Sequence, residues 1–223
     1  MIRRAARRVI RTLRGKNLPH TFDCEAEGYD RNRARFGLYT PEVLYRALLS
    51  LEPTLGPRRR VLDAGAGTGL FIPTLRSFFD QVVALDVAEN MLRRAPEVRL
   101  SGPDVVPVVG DFFRHPFKPG VFDCIFCSDF LHHTGRADAF VDRACELLGD
   151  RGTIVVVEYE PGRVRTRILK LIEEVFLEDL HLISAAELGS RLAARGFSWR
   201  SRPVSRFEYL LWAQRNVSTR GED

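Results

Sequence analysis

The order of hydrophobic and polar positions predicts strands that alternate with helices between residues 60 and 158. Four short apolar runs, at 61–63, 81–86, 106–111 and 122–128, each end in an acidic or hydroxyl residue. A fifth apolar run, 153–158, follows a helix end and a turn at 146–152. Strands that alternate with helices in this way favour a parallel sheet covered by helices on both faces.

The pattern changes after residue 158. Apolar residues recur at helical spacing between charged ones over 162–180, which predicts an additional amphipathic helix. Ser184 and Glu187 have the spacing of a capping box, and the helix that they begin should stop at Gly196. Two more short apolar segments, 197–204 and 207–213, complete the pattern, with Pro203 marking the turn region between them.

A glycine-rich loop follows the first strand. Gly65, Gly67 and Gly69 remove every Cβ from one side of a strand-to-helix turn, so a ligand can approach backbone N–H groups there. Asp63 discriminates between ligands, because a carboxylate repels the pyrophosphate of a dinucleotide and attracts the ammonium and sulfonium of S-adenosylmethionine (SAM). Leu70 stands where the dinucleotide pattern requires Gly or Ala. Charge and spacing therefore both favour SAM over NAD.

Two later acidic residues extend the cofactor site. Asp86 ends the second strand at about the separation from the glycine loop expected of a carboxylate that accepts ribose hydroxyls. Asp111 follows the third strand and can accept from the exocyclic amine of an adenine, while Phe112 can cover the ring. The cofactor prediction thus rests on several separated positions and not on the glycines alone.

Four segments together resemble the motifs of the class I SAM-dependent methyltransferases. They are VLDAGAGTG, ALDVAENML, VVGDFF and ELLGDRGTIVVVE, and the resemblance covers roughly residues 40–214. It implies a Rossmann-like, mostly parallel seven-stranded sheet with helices on both faces, closed by an antiparallel strand pair at 197–204 and 207–213. It also adds Val87 and Ser128 to the cofactor-binding residues. Asp150 and Arg151 depart from the family's usual Pro-Gly, which alters a turn and no ligand contact.

Within that family the chain is most similar to the small-molecule branch that includes the quinone-biosynthesis, or type 11, methyltransferases. The similarity implies methyl transfer to oxygen or carbon of a small organic acceptor, and a lipophilic acceptor is expected if the N-terminal segment lies on a membrane. Residues 128–131 lack the Asn/Asp-Pro-Pro-aromatic motif of methyltransferases that act on nucleic-acid bases. Two alternatives stay open, a soluble secondary-metabolite methyltransferase and a non-catalytic SAM-binding partner subunit.

Two adjacent histidines, His132 and His133, follow the fourth strand at the sheet edge that faces the ligand crevice. An imidazole has an unperturbed pKa near ~6.5 and can take a proton from a phenol, an enol or a carboxyl-bearing acceptor. His133 is the preferred base because it lies nearer the loop tip. The alternative, in which one histidine caps a helix and the other is solvated, stays open. Alignment alone can also drive methyl transfer, so a dedicated base is not required.

The acceptor pocket is the least specified part of the sequence. Tyr29, Tyr39 and Tyr159, with the helix at 162–180, are candidates for its wall, and ordinary packing is the alternative. No metal site is expected, because Cys124 and Cys127 are separated by an odd number along a strand and should point to opposite faces. The four cysteines also offer no disulfide framework.

Length and charge divide the chain into an N-terminal helical segment, 1–39, and a methyltransferase domain, 40–223. Residues 1–16 hold six arginines, one lysine and no acid, a charge of +7 in a chain whose net charge is +5. The remainder is therefore slightly acidic, at −2 (five less seven), which argues against nucleic acid as a partner. Neither a secretory signal nor a run of membrane-spanning length is present, so we expect a cytoplasmic protein.

The N-terminal segment predicts a basic amphipathic helix. Helical winding of residues 2–14 places the six arginines on one side and the apolar side chains on the other, namely Ile2, Ala5, Ala6, Val9, Ile10 and Leu13. Such a helix can lie on an anionic membrane surface or pack on its own domain with the arginines in solvent. Residues 1–14 are therefore the predicted site of peripheral membrane association.

Overall fold

The computed structural model describes residue 30 and residues 38–52, 55–162 and 181–216. Seven strands of this part form one sheet: β1 (Arg60–Ala64), β2 (Gln81–Asp86), β3 (Val105–Val109), β4 (Phe122–Ser128), β5 (Leu148–Tyr159), β6 (Phe197–Pro203) and β7 (Glu208–Arg215). Their order across the sheet is β3-β2-β1-β4-β5-β7-β6. β1 to β5 run parallel, whereas β7 pairs antiparallel with both β5 and β6. The predicted fold class, including the closing antiparallel pair, is confirmed.

Helices cover both faces of this sheet. In the described residues they are α1 (Pro41–Leu51), α2 (Ile72–Leu75), α3 (Glu89–Arg94), α4 (Glu97–Leu100), α5 (Leu131–Thr134), α6 (Ala137–Leu147) and α7 (Ala185–Ala193). α1 and α2 contribute to a buried apolar cluster on one face, for example through Leu44 and Ile72. α6 and α7 contribute to the cluster on the other face, for example through Phe140 and Leu188. The central strands are therefore buried on both sides, as parallel strands usually are.

The side chains of β4 divide between the two faces. Cys124 packs in the cluster below α1, and Cys127 packs in the cluster below α6. The two thiols thus point to opposite faces, as the odd spacing predicts. Burial raises the pKa of both thiols, and nearby acidic groups raise it further. Neither thiol has the properties of a reactive or metal-binding cysteine.

Two boundaries differ from those that the sequence predicts. β5 begins at Leu148, directly after α6, because Phe122 pairs with Leu148 and Cys124 pairs with Thr153. The predicted turn at 149–152 is therefore a bulge inside the strand, and not a separate connection. The capping box at Ser184 and Glu187 is present, but α7 ends at Ala193 and a turn leads to Gly196.

Several predicted features lie outside the described residues. They are the basic helix at 2–14, Tyr29, Cys24 and nearly all of the helix at 162–180. Within the described residues, no helix combines the length and the hydropathy needed to cross a membrane.

Candidate functional site

The candidate site lies at the carboxyl ends of the central strands. From β1 the chain continues to β2 and β3 on one side of the sheet, and β4 then pairs with β1 on the other side. In doubly wound sheets a crevice opens outside the strand ends where the order reverses in this way. The glycine loop, residues 65–69, follows β1 at this point.

Backbone hydrogen bonds from the glycine loop hold it against β2. The N–H groups of Gly65 and Ala66 both donate to the carbonyl oxygen of Leu85, at 2.9 and 3.0 Å. Gly65 has φ of +77°, and a Cβ at that position would lie 2.6 Å from the ring of Phe130. Glycine is required here by both the backbone conformation and the contact.

Gly69, the third of the predicted cofactor-binding glycines, closes the loop and leads into α2. Its N–H donates to the carbonyl oxygen of Ala66 at 2.9 Å, and its own carbonyl oxygen accepts from the N–H of Ile72 at 3.1 Å. It has φ of +69°, and a Cβ there would lie 2.8 Å from the side chain of Ile72. Because the N–H of Gly69 is used within the turn and its open side faces Ile72, Gly69 shapes the loop. The N–H groups of Gly65 and Gly67 are also used within the protein, so a contact between any of these glycines and the cofactor stays a prediction.

Asp86 ties the loop to the start of α3. Its Oδ2 accepts from the N–H of Gly67 and its Oδ1 accepts from the N–H of Ala88, both at 2.8 Å. The sequence predicts only a ribose contact for this carboxylate. Each carboxylate oxygen can accept a second hydrogen bond, so the backbone contacts fix the orientation of Asp86 and leave capacity for a pair of hydroxyls.

Asp63 is the most unusual group of the site. Its residue is only 2% exposed, and burial, with a smaller contribution from nearby Asp86, raises the pKa of its carboxyl to about 8. In the described part of the chain, no basic side chain forms an ion pair with it. A buried carboxyl without a cation is unfavourable in its charged form. The arrangement therefore favours a ligand that brings a positive charge.

The two residues predicted to contact adenine differ in exposure, since Asp111 is partly exposed and Phe112 is buried. Asp111 accepts from the N–H of Phe113 at 2.9 Å through Oδ1, and its side chain remains 38% exposed. Phe112 is only 3% exposed, and its ring stacks on Phe140 with centroids 5.2 Å apart. This packing in the core leaves little of the ring for a ligand, so the prediction that Phe112 covers an adenine lacks support. Val87, beside Asp86, is 44% exposed and is better placed for an apolar contact.

A buried histidine and glutamate pair follows β4 and ends β5. His132 Nδ1 lies 2.6 Å from Glu158 Oε2, and the two side chains are 4% and 2% exposed. Glu158 Oε1 accepts from the N–H groups of Phe130 and Leu131, at 2.8 and 2.6 Å. Glu158 therefore orients both the turn after β4 and the imidazole of His132. The His133 ring lies beside it, with the two ring centroids 3.9 Å apart.

The charge state of Glu158 follows from these contacts. Burial alone would raise the pKa of this carboxyl, but the charge and hydrogen bond of His132 and the bond from Leu131 act in the opposite direction, and the net shift is downward. Glu158 is therefore a carboxylate at neutral pH. An imidazole that donates Nδ1–H to a carboxylate keeps Nε2 as its acceptor atom.

One cluster in the described residues has the spacing of a metal site. Asp129, His132 and Glu158 offer ligand atoms within 4.8 Å of one another, and all three residues are buried. Asp129 has a left-handed φ of +50°, which brings its carboxylate back toward β4, where the Ser128 hydroxyl donates to it at 3.3 Å. Both oxygens of Glu158 are engaged by hydrogen bonds, two on Oε1 and one on Oε2, so the cluster is already held together by contacts within the protein.

The structure separates the tyrosines predicted for the acceptor pocket. Tyr159 is next to the candidate base, with its ring 5.0 Å from that of His132 in an edge-on contact. Tyr39 is 2% exposed and stacks on Phe71 with centroids 4.6 Å apart, which is a core position. The prediction that Tyr39 lines the pocket is therefore not supported. Tyr29 lies outside the described residues.

Sequence reasoning missed the roles of Glu158 and Asp30. Glu158 has the same signal as Asp63, an acid at the end of an apolar strand, and could have been found by that rule. Asp30 accepts a hydrogen bond of 2.6 Å from the hydroxyl of Thr68 in the glycine loop. The two residues are 38 apart in the chain, and nothing in the sequence around Asp30 predicts this contact.

Residues 62–156 match the sequence profile of a family described as "Methyltransferase domain". Demethylmenaquinone methyltransferase of Beutenbergia cavernae is 32% identical over 140 residues, which are 62% of this chain and 56% of that protein. The malonyl-[acyl-carrier protein] O-methyltransferase of Methylococcus capsulatus is 32% identical over 136 residues, 60% of this chain and 48% of that protein. The chain thus spans about half the length of these two curated relatives.

Solved structures share the fold. A SAM-dependent methyltransferase from Aquifex aeolicus superposes with a TM-score of 0.65 at 18% identity, over 86% of this chain and 97% of that one. Magnesium protoporphyrin IX methyltransferase from Synechocystis, with SAH (S-adenosylhomocysteine) bound, superposes with a TM-score of 0.61 at 24% identity, over 85% and 94% of the two chains. The described part of the chain thus has the fold of SAM-dependent methyltransferases, and residues 62–156 are similar in sequence to a methyltransferase domain.

Proposed function

We propose that this protein transfers the methyl group of SAM to oxygen or carbon of a small organic acceptor. The observation that carries the proposal is Asp63, a buried carboxyl with a pKa raised to about 8, at the foot of the glycine loop. A ligand ammonium would supply the missing positive charge. A ligand ammonium stabilises the ionised form of Asp63, whereas a pyrophosphate destabilises it and gains no charge pairing, so this carboxyl favours SAM over a dinucleotide.

The other cofactor contacts follow from the same geometry. Asp86, held by Gly67 and Ala88, is proposed to accept the two ribose hydroxyls, and Asp111 the exocyclic amine of adenine. Val87 would pack against the adenine. SAM supplies a methyl group on a sulfonium, and the site residues align the acceptor with it. Ser128, the last residue of β4, is proposed as a further cofactor contact.

On the acceptor side, His132 and Glu158 form the most developed acid–base arrangement. As the acceptor's oxygen or carbon bonds to the methyl group, the bond from that methyl group to the sulfonium sulfur would break and leave SAH, and the acceptor's proton would pass to His132 Nε2. The imidazolium that this transfer forms would be stabilised by the Glu158 carboxylate, which lies 2.6 Å from His132 Nδ1. The burial of the pair therefore favours His132 as base over the more exposed His133.

The cofactor proposal is tested by calorimetry with SAM, SAH and NAD. We expect SAM and SAH to bind and NAD not to bind. Losing a carboxylate that takes two hydroxyls costs roughly 1.5–3 kcal/mol, so Asp86→Ala should weaken SAM by about tenfold or more. Asp86→Asn, which keeps one acceptor oxygen for the backbone, separates the ribose contact from the loop contact. Equal affinity for SAM in wild type and both variants would remove the ribose assignment.

The base is tested by screening small hydroxylated and enolic acceptors with radiolabelled SAM. For any acceptor that is methylated, turnover is then measured against pH in His132→Ala and His133→Ala. A general base contributes typically ~10²–10⁴ in rate, so the variant of the true base should lose at least about a hundredfold. A loss smaller than about fivefold in both variants would leave alignment as the mechanism. A loss confined to His133→Ala would reverse the assignment between the two.

We further propose that the acceptor is lipophilic and that residues 1–14 bring the protein to an anionic membrane. Support comes from the amphipathic arginine pattern of these residues, which lie outside the described part, and from the 32% identity to a demethylmenaquinone methyltransferase. Each arginine near an anionic leaflet contributes about 1 kcal/mol. Full-length protein should therefore sediment with anionic liposomes at low salt and detach at high salt. A chain lacking residues 1–14 should stay in the supernatant, and equal sedimentation of both forms would contradict the proposal.

Two alternative functions predict different outcomes in these experiments. A highly reducing polyketide synthase of Aspergillus luteorubrus is 28% identical over 182 residues, which favours a soluble secondary-metabolite methyltransferase as the second candidate. That candidate predicts turnover of polyketide-like acceptors without liposome binding. A non-catalytic SAM-binding subunit would instead bind SAM with normal affinity and methylate none of the acceptors in the screen.

A further inference from the structure

Thr68, between the second and third glycines of the loop, is held by two side chains that belong to neither β1 nor β2. Its hydroxyl donates to Asp30 Oδ1 at 2.6 Å. Arg99 Nη1, on α4, donates to Asp30 Oδ2 at 2.5 Å and to the Thr68 carbonyl oxygen at 3.2 Å. Thr68 is 3% exposed, and the side chains of Arg99 and Asp30 are 18% and 33% exposed. These three residues, called here the loop clasp, form a closed and largely buried network.

The clasp completes a two-sided restraint on the glycine loop. On one side β2 accepts the N–H groups of Gly65 and Ala66, and Asp86 accepts that of Gly67. On the other side the clasp fixes both the hydroxyl and the carbonyl of Thr68. Without Asp30, the buried Thr68 hydroxyl would lose its acceptor and Arg99 its counter-charge. The position of the glycine loop therefore depends on Asp30, which precedes β1 in the chain.

We propose that Asp30 and Arg99 are positioning residues for SAM, and that the clasp couples the position of Asp30 to cofactor binding. This inference rests on the proposed binding of SAM at the glycine loop. A loop whose backbone is already held in its binding conformation loses less conformational freedom when the ligand binds. Because the coupling is reciprocal, SAM in turn favours the clasped arrangement of Asp30. The affinity for SAM is thus set partly from outside the domain's own sheet.

The test is a double-mutant cycle on SAM affinity, measured by calorimetry with SAM and SAH. Asp30→Asn and Arg99→Gln should each weaken binding by about fivefold or more. The double variant should bind no more weakly than the worse single variant, because both changes break the same network. Thr68→Val keeps the shape of the side chain and removes only the hydroxyl, so it gives a smaller loss in the same direction.

The matched control is the Glu89 and Arg93 pair of α3. These side chains are 2.7 Å apart at one helical turn and are 55% and 71% exposed. Glu89→Gln and Arg93→Gln change the same charges without touching the clasp, so both should bind SAM as the wild type does.

Hydrogen exchange distinguishes positioning from a general loss of stability. In Asp30→Asn the amides of residues 65–69 should exchange faster than in the wild type, while those of β4 and β5 stay protected. Added SAM should reduce the difference in exchange rate between the variant and the wild type at residues 65–69. The inference is overturned if the folded variants bind SAM with wild-type affinity, or if exchange rises equally across the sheet. Failure of the wild type itself to bind SAM would instead overturn the proposed function.

Discussion

Two buried carboxyl groups near the carboxyl ends of β1 and β5 have pKa values that are shifted in opposite directions. Asp63 is the residue before the last in β1, Glu158 is the residue before the last in β5, and the two residues are 2% and 1% exposed. Burial raises the pKa of Asp63 to about 8, whereas the pKa of Glu158 is lowered despite its burial. The difference is in their partners. Glu158 accepts from His132 and two backbone N–H groups, while Asp63 has only the like charge of Asp86 nearby among the described residues.

The comparison separates a structural carboxylate from a ligand-dependent one. A buried charge is tolerated when hydrogen bonds and an opposite charge compensate its lost hydration. Glu158 receives that compensation from the protein and so contributes to the fold. Asp63 can receive it only from a ligand, so it makes the SAM-free protein less stable and the SAM complex more stable. Burial alone therefore does not tell which acid belongs to a binding site.

The largest expected effect is on stability when Glu158 loses its charge. Glu158→Gln removes the carboxylate charge and replaces one of its two acceptor oxygens with a donor, and it should lower the free energy of unfolding by about 3–5 kcal/mol. For a chain of this size that lowers Tm by roughly 6–20 °C, which thermal unfolding followed by circular dichroism measures. Glu160→Gln is the control, because Glu160 is less buried and makes one 3.4 Å contact, to the N–H of Ala185.

A double variant shows whether the loss comes from the pair. His132→Gln combined with Glu158→Gln removes both partners and should lower stability by less than the sum of the single changes. Additive losses, or a Tm for Glu158→Gln equal to that of Glu160→Gln, would contradict the structural role of this carboxylate.

The fold could be predicted from the sequence because its signals are local and repeated. Apolar runs that end in acids marked β1 to β4 within a residue or two, and the capping box marked the start of α7. The start of β5 was missed because the bulge at 149–152 depends on the pairing of β4 with β5, a contact that no single segment encodes. Tertiary pairing thus overrides turn signals at that point.

The site was predictable only where one segment supplies the chemistry. Asp63, Asp86 and the glycine loop belong to short motifs, so their proximity follows from the parallel sheet. The roles of Phe112 and Gly69 were assigned from residue type, and the structure gives the ring to the core and the glycine to the turn before α2. The pairing of His132 with Glu158 joins residues far apart in the chain, as does the loop clasp. Such contacts are decided by packing, which composition and periodicity do not report.

The second prediction, of intermediate size, concerns Asp63. Its substitution should stabilise the SAM-free protein and destabilise the SAM complex. Asp63→Asn removes a buried, uncompensated charge, so the SAM-free protein should melt at a higher temperature than the wild type at pH 8. The same change should weaken SAM by roughly 10–100-fold, since a hydrogen bond to a charged group contributes about 1.5–3 kcal/mol. Thermal unfolding and calorimetry on one preparation measure both. A variant that melts lower and binds SAM normally would show that Asp63 is structural, as Glu158 is.

The smallest effect is a linkage between protons and SAM. The pKa of Asp63 is near 3.8 in an unfolded chain and about 8 in the folded SAM-free protein, so between these values the folded state holds one more proton. Its contribution to stability is therefore greatest below pH 4 and is lost as pH rises toward 8. Glu158 has the opposite sign, because its lowered pKa makes its contribution present above about 4.5 and lost as pH falls.

Binding of SAM should reverse the shift at Asp63 and release its proton. Between pH 6 and 7 the ligand amine and the Asp63 carboxyl are both largely protonated, so we expect release of most of one proton and an affinity that rises by at most about tenfold per pH unit. Calorimetry in two buffers of different ionisation enthalpy measures the protons released. Asp63→Asn should release none, and Asp86→Asn should release fewer than the wild type, since Asp86 helps to raise the pKa of Asp63. Equal heats in both buffers for the wild type would mean that Asp63 is already ionised without SAM, and the contrast with Glu158 would then rest on contacts alone.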